Sequence, residues 1–158
     1  MSDLALVLDH VGVAVSTLDL AHDVYAKLGF TLTARSIHSG STEPGGPVVP
    51  WGSGNHCAMF EQGYLELIGI TDPNLYTSVS RLVENYQGTH IIALGVEDSD
   101  KAFEVINGRS GMVQPAAKLE RMAPFGPDGS EGRLAEFRNI HTIQEKVPEG
   151  RMIFIQHL

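Results

Sequence analysis

The sequence predicts an α+β fold made of two successive halves in which strands outnumber helices. A weak internal repeat carries most of that reading. Asp9-His10-Val11-Gly12-Val13-Ala14-Val15 is echoed by Thr89-His90-Ile91-Ile92-Ala93-Leu94-Gly95-Val96, with His10 and His90 80 residues apart in a chain of 158. Each copy sets a histidine near the start of an apolar, β-branched run, the composition of a half-buried strand. Each run then gives way to an acidic stretch with helical spacing. The remaining segments are short apolar runs bounded by glycine and proline turns, which read as further strands.

Taken in order, Leu6 to Val15 is the first strand. Ser16-Thr17-Leu18-Asp19 supplies helix-capping chemistry, and Leu20, Val24, Tyr25 and Leu28 recur at helical spacing up to the stop at Gly29. Phe30 to Ala34 resumes a period of two. Ser36 to Gly54, rich in Gly, Ser and Pro, reads as a long loop of the kind that serves as a lid or binding segment. His56 to Phe60 and Tyr64 to Ile70 form a hairpin around Glu61-Gln62-Gly63. Leu75, Val79, Leu82, Val83 and Tyr86 give the joining segment an amphipathic helical face. The second half then offers a strand at Thr89 to Val96, a helix from Asp98 to Asn107 ended by Gly108, and a strand at Met112 to Leu119. A turn-rich loop at Phe125 to Ser130 leads to strands at Leu134 to Ile140 and Arg151 to Leu158. The chain stops inside that final strand, which is either the true terminus or the edge of a longer natural protein.

Composition narrows the function. A content of 42% hydrophobic and 19% charged residues describes a globular protein with a core that needs no covalent staples. The net charge of −8, with no run of Lys or Arg, argues against nucleic acid or anionic membrane as a partner. One cysteine, Cys57, forms no intrachain disulfide and fits a reducing compartment, so a cytoplasmic location is expected. Phosphate-binding glycine loops, nucleophile elbows, CxxC pairs and HExxH helices are all missing from the sequence.

The chemistry-bearing residues cluster in the repeat. His10 and His90 open matching strands, and Tyr64-Leu65-Glu66-Leu67-Ile68 sets a carboxylate inside an apolar strand, where an ionised group needs a partner. Two imidazoles and a carboxylate suit Zn²⁺, Ni²⁺, Fe²⁺ or Mn²⁺ with positions left open for substrate oxygens. The competing reading is that both histidines hydrogen-bond near strand ends and Glu66 pairs with an arginine. His56 either touches substrate or satisfies a structural bond. Trp51 either closes over a ligand or packs beneath the long loop. Asn55 is a further candidate contact, and Arg138 either anchors an anionic substrate or pairs with a surface acid.

The stretches Leu8 to Val15, Leu18-Asp19, Tyr25 to Phe30, and Gly54 to Ile68 together resemble the vicinal oxygen chelate superfamily. That group contains glyoxalase I, extradiol dioxygenases, epimerases and bleomycin-resistance proteins, and glyoxalase-like domain proteins are particularly similar. The resemblance implies two tandem βαβββ modules whose curled mixed sheets enclose one cleft. They would span about residues 5–70 and 88–158, joined by 71–87, within a single domain of 1–158. It implies a divalent metal held by His10, Glu66 and His90, with Glu66 also a candidate catalytic group. A fourth ligand is expected near the end of the chain, where Gln156 and His157 are both candidates and the acid usual in glyoxalases is missing. The implied activity is lyase or isomerase chemistry on a small oxygenated substrate. A metal-free binding protein of the bleomycin-resistance type and an Fe²⁺-dependent dioxygenase are the alternatives. A homodimer is compatible with the family's architecture.

Overall fold

The computed structural model describes residues 4–40, 42, 46–125 and 130–158, excluding the side chains of residues 121, 124 and 125. The elements run β1 (Val7–Val15), α1 (Leu18–Lys27), β2 (Ser36–Gly40), β3 (Val49–Met59), β4 (Tyr64–Ile70), α2 (Ser80–Val83), β5 (Gly88–Gly95), α3 (Ser99–Ser110), β6 (Ala117–Phe125), β7 (Glu131–His141) and β8 (Arg151–His157). The eight strands form one sheet in the order β2-β3-β4-β1-β5-β8-β7-β6. That order is a near-twofold pattern. β1 pairs parallel with β4, β5 pairs parallel with β8, and β1 and β5 meet antiparallel at the centre. The sheet is open and strongly curled, because strands near opposite ends of the order, β3 and β7, line one cavity.

Hydrophobic layering follows from the pleat, whose period of two sends alternate side chains to opposite faces. On the outer face, Leu67 packs under Leu18 and Ala21 of α1, while Ile140 and Phe154 pack under Ala102 of α3. On the inner face, Ala14, Ile68, Ile91, Ala93, Phe137 and Ile153 form a third cluster with Val79 and Leu82 from the connector. The connector thus plugs one end of the half-barrel. Only Ser80–Val83 of it is helical, and Tyr86 stays half exposed, so the amphipathic pattern at 75–86 overstates the helix.

Three other expectations change. The Gly-rich segment at 36–54 is largely an edge hairpin, with Ile37 opposite Gly54 and Gly40 opposite Val49. Its glycines answer to crowding, not to loop freedom: a Cβ on Gly52 would lie 2.0 Å from the Asp72 carbonyl oxygen. The strand expected at 30–34 shrinks to a single bridge between Leu32 and Ala58. α3 runs past Gly108 to Gly111, whose φ of +59° makes it the left-handed cap; Asp98 starts the helix by accepting from the amides of Asp100 and Lys101. The tip of the loop expected at 125–130, residues 126–129, lies outside the described residues. No described helix is long and apolar enough to cross a membrane.

Candidate functional site at the centre of the curled sheet

Strand register places the candidate ligands on three adjacent strands. His10 of β1 stands opposite Tyr64 of β4, so Glu66, two residues further on, stands opposite Gly12. Across the other edge of β1, Gly12 faces Ile91. The β1–β5 ladder then breaks twice. It passes from Leu8–Leu94 to His10–Ala93, skipping Asp9, and from Gly12–Ile91 to Val13–Thr89, skipping His90. These two bulges sit at matching places in the two halves, which aligns Asp9, rather than His10, with His90. Bulges re-aim the side chains they carry, here Asp9 and His90.

Each of the three candidate ligands is held by a partner that leaves one donor atom over. His10 is buried and its ring stacks on Tyr64 at 4.3 Å, with Nδ1 2.6 Å from Asp9 Oδ1. His90 is buried and stacks on Tyr86 at 3.9 Å, and its Nε2–H donates to the Tyr86 carbonyl at 2.7 Å. Glu66 Oε1 accepts from Asn55 Nδ2 at 2.5 Å. His10 Nε2, His90 Nδ1 and Glu66 Oε2 make no hydrogen bond among the described residues. As the side chains stand, no three described His, Cys, Asp or Glu residues are drawn together closely enough to hold an ion. Two imidazoles and a carboxylate are nonetheless donor types that divalent ions accept. Imidazole ligands typically give their second nitrogen to a carboxylate or backbone carbonyl, which fixes the ring and its tautomer.

Asp9 organises the top of the site. Its second oxygen accepts from His157 Nε2 at 2.7 Å, tying β1 to the last strand across 148 residues of sequence. Burial pushes the Asp9 carboxyl up, but the hydrogen bonds from His10 and His157 outweigh it and hold the group below its ordinary value. An ionised Asp9 makes both imidazole contacts donations to oxygen. His157 stands edge-on to Phe137 at 5.1 Å and lines a cavity of about 430 Å³ on the inner face. Asn55, Cys57 and Tyr64, the neighbours of Glu66, line the same cavity.

The other sequence candidates disperse. The position related to Glu66 by the sheet's symmetry is Ile153, opposite Ala93 as Glu66 is opposite Gly12. Gln156 points the other way, its Oε1 accepting from the Ser99 amide at 3.1 Å at the start of α3. His56 pairs in register with Leu67 on the outer face, contacts the His22 ring at 4.7 Å and binds the Thr33 carbonyl at 2.8 Å. Burial lowers its pKa, as does the charge of Arg35. Trp51 belongs to β3, donates to the Gly40 carbonyl at 3.1 Å and packs edge-on against Tyr76. Arg138 forms a two-pronged pair with Asp100 of α3, both contacts 2.6 Å, on the outer face.

Two inner-face residues escaped the sequence reading. Arg151, at the start of β8, stands opposite Ile91 and so shares a row with Gly12 and Glu66. His141 of β7 stands opposite Ile153. Burial, and then the charge of Arg151, lowers its pKa to about 4, so it is neutral at neutral pH. The sequence signal for both was the strand period, obscured because the register of the last strand was open and the expected strand before it ended at Ile140, one residue short of His141.

A curled eight-stranded sheet with two like-ordered halves around a central cleft defines a distinct class of α+β fold. The chain belongs to the glyoxalase-like domain family, whose model matches residues 8–158. Among solved structures it is similar to a hypothetical protein, BH1468, from Bacillus halodurans C-125, at 14% identity and a TM-score of 0.59, covering 96% of this chain and 94% of that one. It is also similar to methylmalonyl-CoA epimerase of Streptomyces coelicolor in complex with 2-nitronate-propionyl-CoA, at 20% identity and a TM-score of 0.57, covering 95% and 93%. The Mycobacterium tuberculosis methylmalonyl-CoA epimerase gives 18% identity and a TM-score of 0.54, covering 94% and 86%. At these identities the likeness is one of fold. A search of curated proteins returned no match.

Proposed function

We propose that the protein is a metal-dependent isomerase or lyase that moves a proton next to a carbonyl group of a small oxygenated substrate. The observation that carries this reading is the matched set of partners: Asp9 on His10, the Tyr86 carbonyl on His90, and Asn55 on Glu66. Each leaves one unshared donor for an ion, and the three ligands come from β1, β5 and β4, which are neighbours at the centre of the sheet. A bound divalent metal would supply Lewis-acid polarisation of a substrate oxygen. His10, Glu66 and His90 would hold it, so Glu66 is committed as a ligand. The proton then falls to His157. Its Nε2–H is engaged by Asp9, which leaves Nδ1 to take a proton from substrate in the adjoining cavity and to return it. Asp9 stabilises the imidazolium formed meanwhile. Met59, Leu134 and Phe137 keep the cavity wall apolar, which strengthens these charge interactions.

The test is metal stoichiometry with proton exchange. Protein loaded with Zn²⁺, Ni²⁺, Fe²⁺ or Mn²⁺ should retain one equivalent, and His10→Ala, Glu66→Ala and His90→Ala should each hold it more weakly. Loaded wild type should exchange the α-hydrogen of 2-oxobutyrate or methylmalonyl-CoA with deuterium, and His157→Gln should keep the metal but lose the exchange. No retained metal would overturn the proposal. Ile153, standing where a second carboxylate would complete the symmetry, favours one other reading, ligand sequestration without turnover. Metal or ligand binding without exchange of any α-hydrogen would establish it.

A further inference from the structure

The polar groups on the wall of the 430 Å³ cavity are largely engaged within the protein. Asn55 gives its amide to Glu66, and the Thr33 hydroxyl accepts from the Cys57 amide at 2.9 Å. The charged groups are answered in the same way. Glu136 pairs with Lys118 at 2.9 Å, and His157 pairs with Asp9 at 2.7 Å. His157 keeps only Nδ1 for the reacting end of a substrate. Beyond that end, the wall has no lysine or arginine among its described lining residues.

What the wall leaves unmet is apolar surface. Met59 of β3 and Leu134 of β7 line the cavity and yet stay 62% and 59% exposed. Their strands are second from opposite ends of the sheet, so only the curl brings these side chains to one cavity. Ala135 and Phe137, on the inner face of β7, add a small residue and an aromatic ring to the same wall. Tyr64 adds a second ring, held in place by its stacking on His10. Open apolar side chains gathered in a concave site mark a place for an apolar ligand. The volume lies in the range of small-molecule sites and exceeds what a substrate of three or four carbons would fill.

From this division of the wall we infer that the substrate's non-reacting end is an uncharged apolar group about the size of an aromatic ring, held in the cavity that Met59, Tyr64, Ala135 and Phe137 line. Aromatic walls favour an aromatic guest, through offset and edge-on contacts. A charged group there would lose its hydration against a wall whose own charges are already paired. This inference rests on the proposed site at His10, Glu66 and His90 for which end of the substrate reacts, but the cavity can be tested without metal.

The test is NMR titration of chelator-treated protein with three hydroxyketones that differ only in the non-reacting group. Wild type should bind 2-hydroxyacetophenone about tenfold or more tightly than hydroxyacetone, because the ring is buried. A carboxylate at the para position of the ring should cancel that gain. Met59→Asp puts a charge on the wall and Ala135→Phe fills the cavity, so each should erase the preference for the phenyl compound. Leu20→Asp, at an equally exposed apolar position on α1, should leave the preference intact. Thermal unfolding of each variant confirms that the comparison is between folded proteins. Equal affinity for the phenyl and methyl compounds in wild type would overturn the inference, as would tighter binding of the carboxylate, or a preference unchanged in both Met59→Asp and Ala135→Phe. Metal retention separates the two proposals. Stoichiometric metal without a phenyl preference refutes the apolar subsite alone, and a phenyl preference without metal refutes the metal centre alone.

Discussion

Acidification should weaken this protein through His141 before most carboxylates titrate. Its imidazole has an ordinary pKa of 6.5 and in the fold is lowered to about 4, first by burial and then by the charge of Arg151. Above pH 6.5 the ring is neutral in both folded and unfolded chains and contributes no pH dependence. As pH falls from 6.5 toward 4, the unfolded chain takes the proton and the folded one does not, so stability falls. Below about 4 both are protonated and the loss levels off. A shift of that size corresponds to about 3 kcal/mol at 1.36 kcal/mol per unit. For a domain of this length that is a fall in Tm of roughly 6–12 °C. His141→Gln removes the titration while keeping a polar side chain. Differential scanning calorimetry from pH 7 to 4 should show the variant losing about 3 kcal/mol less than wild type. Parallel losses in the two proteins, or an NMR titration of the His141 ring with its midpoint above pH 6, would refute the reasoning.

Arg151→Met should leave Tm unchanged or raise it, because burial disfavours the guanidinium's charge; a fall of several degrees in a thermal scan would show a structural role instead. Gly12→Ala should cost about 1–3 kcal/mol in urea unfolding, since its Cβ would sit 2.7 Å from that of Ile91; an unshifted midpoint would mean that the β1–β5 spacing relaxes freely. Asp9→Asn removes the charged acceptor shared by His10 and His157 and should weaken zinc affinity about 10–100-fold in competition with a chromophoric chelator. Because the Asp9 pKa is held below 3.8, its contribution to stability is present above that pH and lost below it, so Asp9→Asn should flatten the most acidic part of the unfolding curve.

The centre of the sheet was legible because there the sequence carries two independent signals. The Asp9–Val15 and Thr89–Val96 runs pair strand composition with a repeat, and they became β1 and β5, the antiparallel pair on which the pattern closes. Glu66 announced itself as a carboxylate in an apolar run. What composition hid was set by contacts distant in sequence. The Gly, Ser and Pro of residues 36–54 looked like a loop, yet Gly52 and Gly54 are demanded by backbone passing within 2.0 Å and 2.6 Å of where their Cβ atoms would be. His56 and Arg138 each had the right chemistry for a cleft, but one residue of register puts both on the outer face. The same one-residue question hid Arg151 and His141, which fall on the inner face only once β8 is aligned with β5 and β7. Asp9, adjacent to His10, could not be assigned a role before the bulge turned its carboxylate between two imidazoles.

X-ray absorption at the zinc K-edge of the loaded protein tests the metal centre most directly, with His10→Ala and His90→Ala measured beside wild type. The arrangement of donors predicts a first shell of nitrogen and oxygen only, with scattering from two imidazoles in wild type and from one in each variant that still retains metal. A sulfur scatterer, which would implicate Cys57, or an imidazole count unchanged by either substitution, would contradict the assignment of His10, Glu66 and His90 as the ligands.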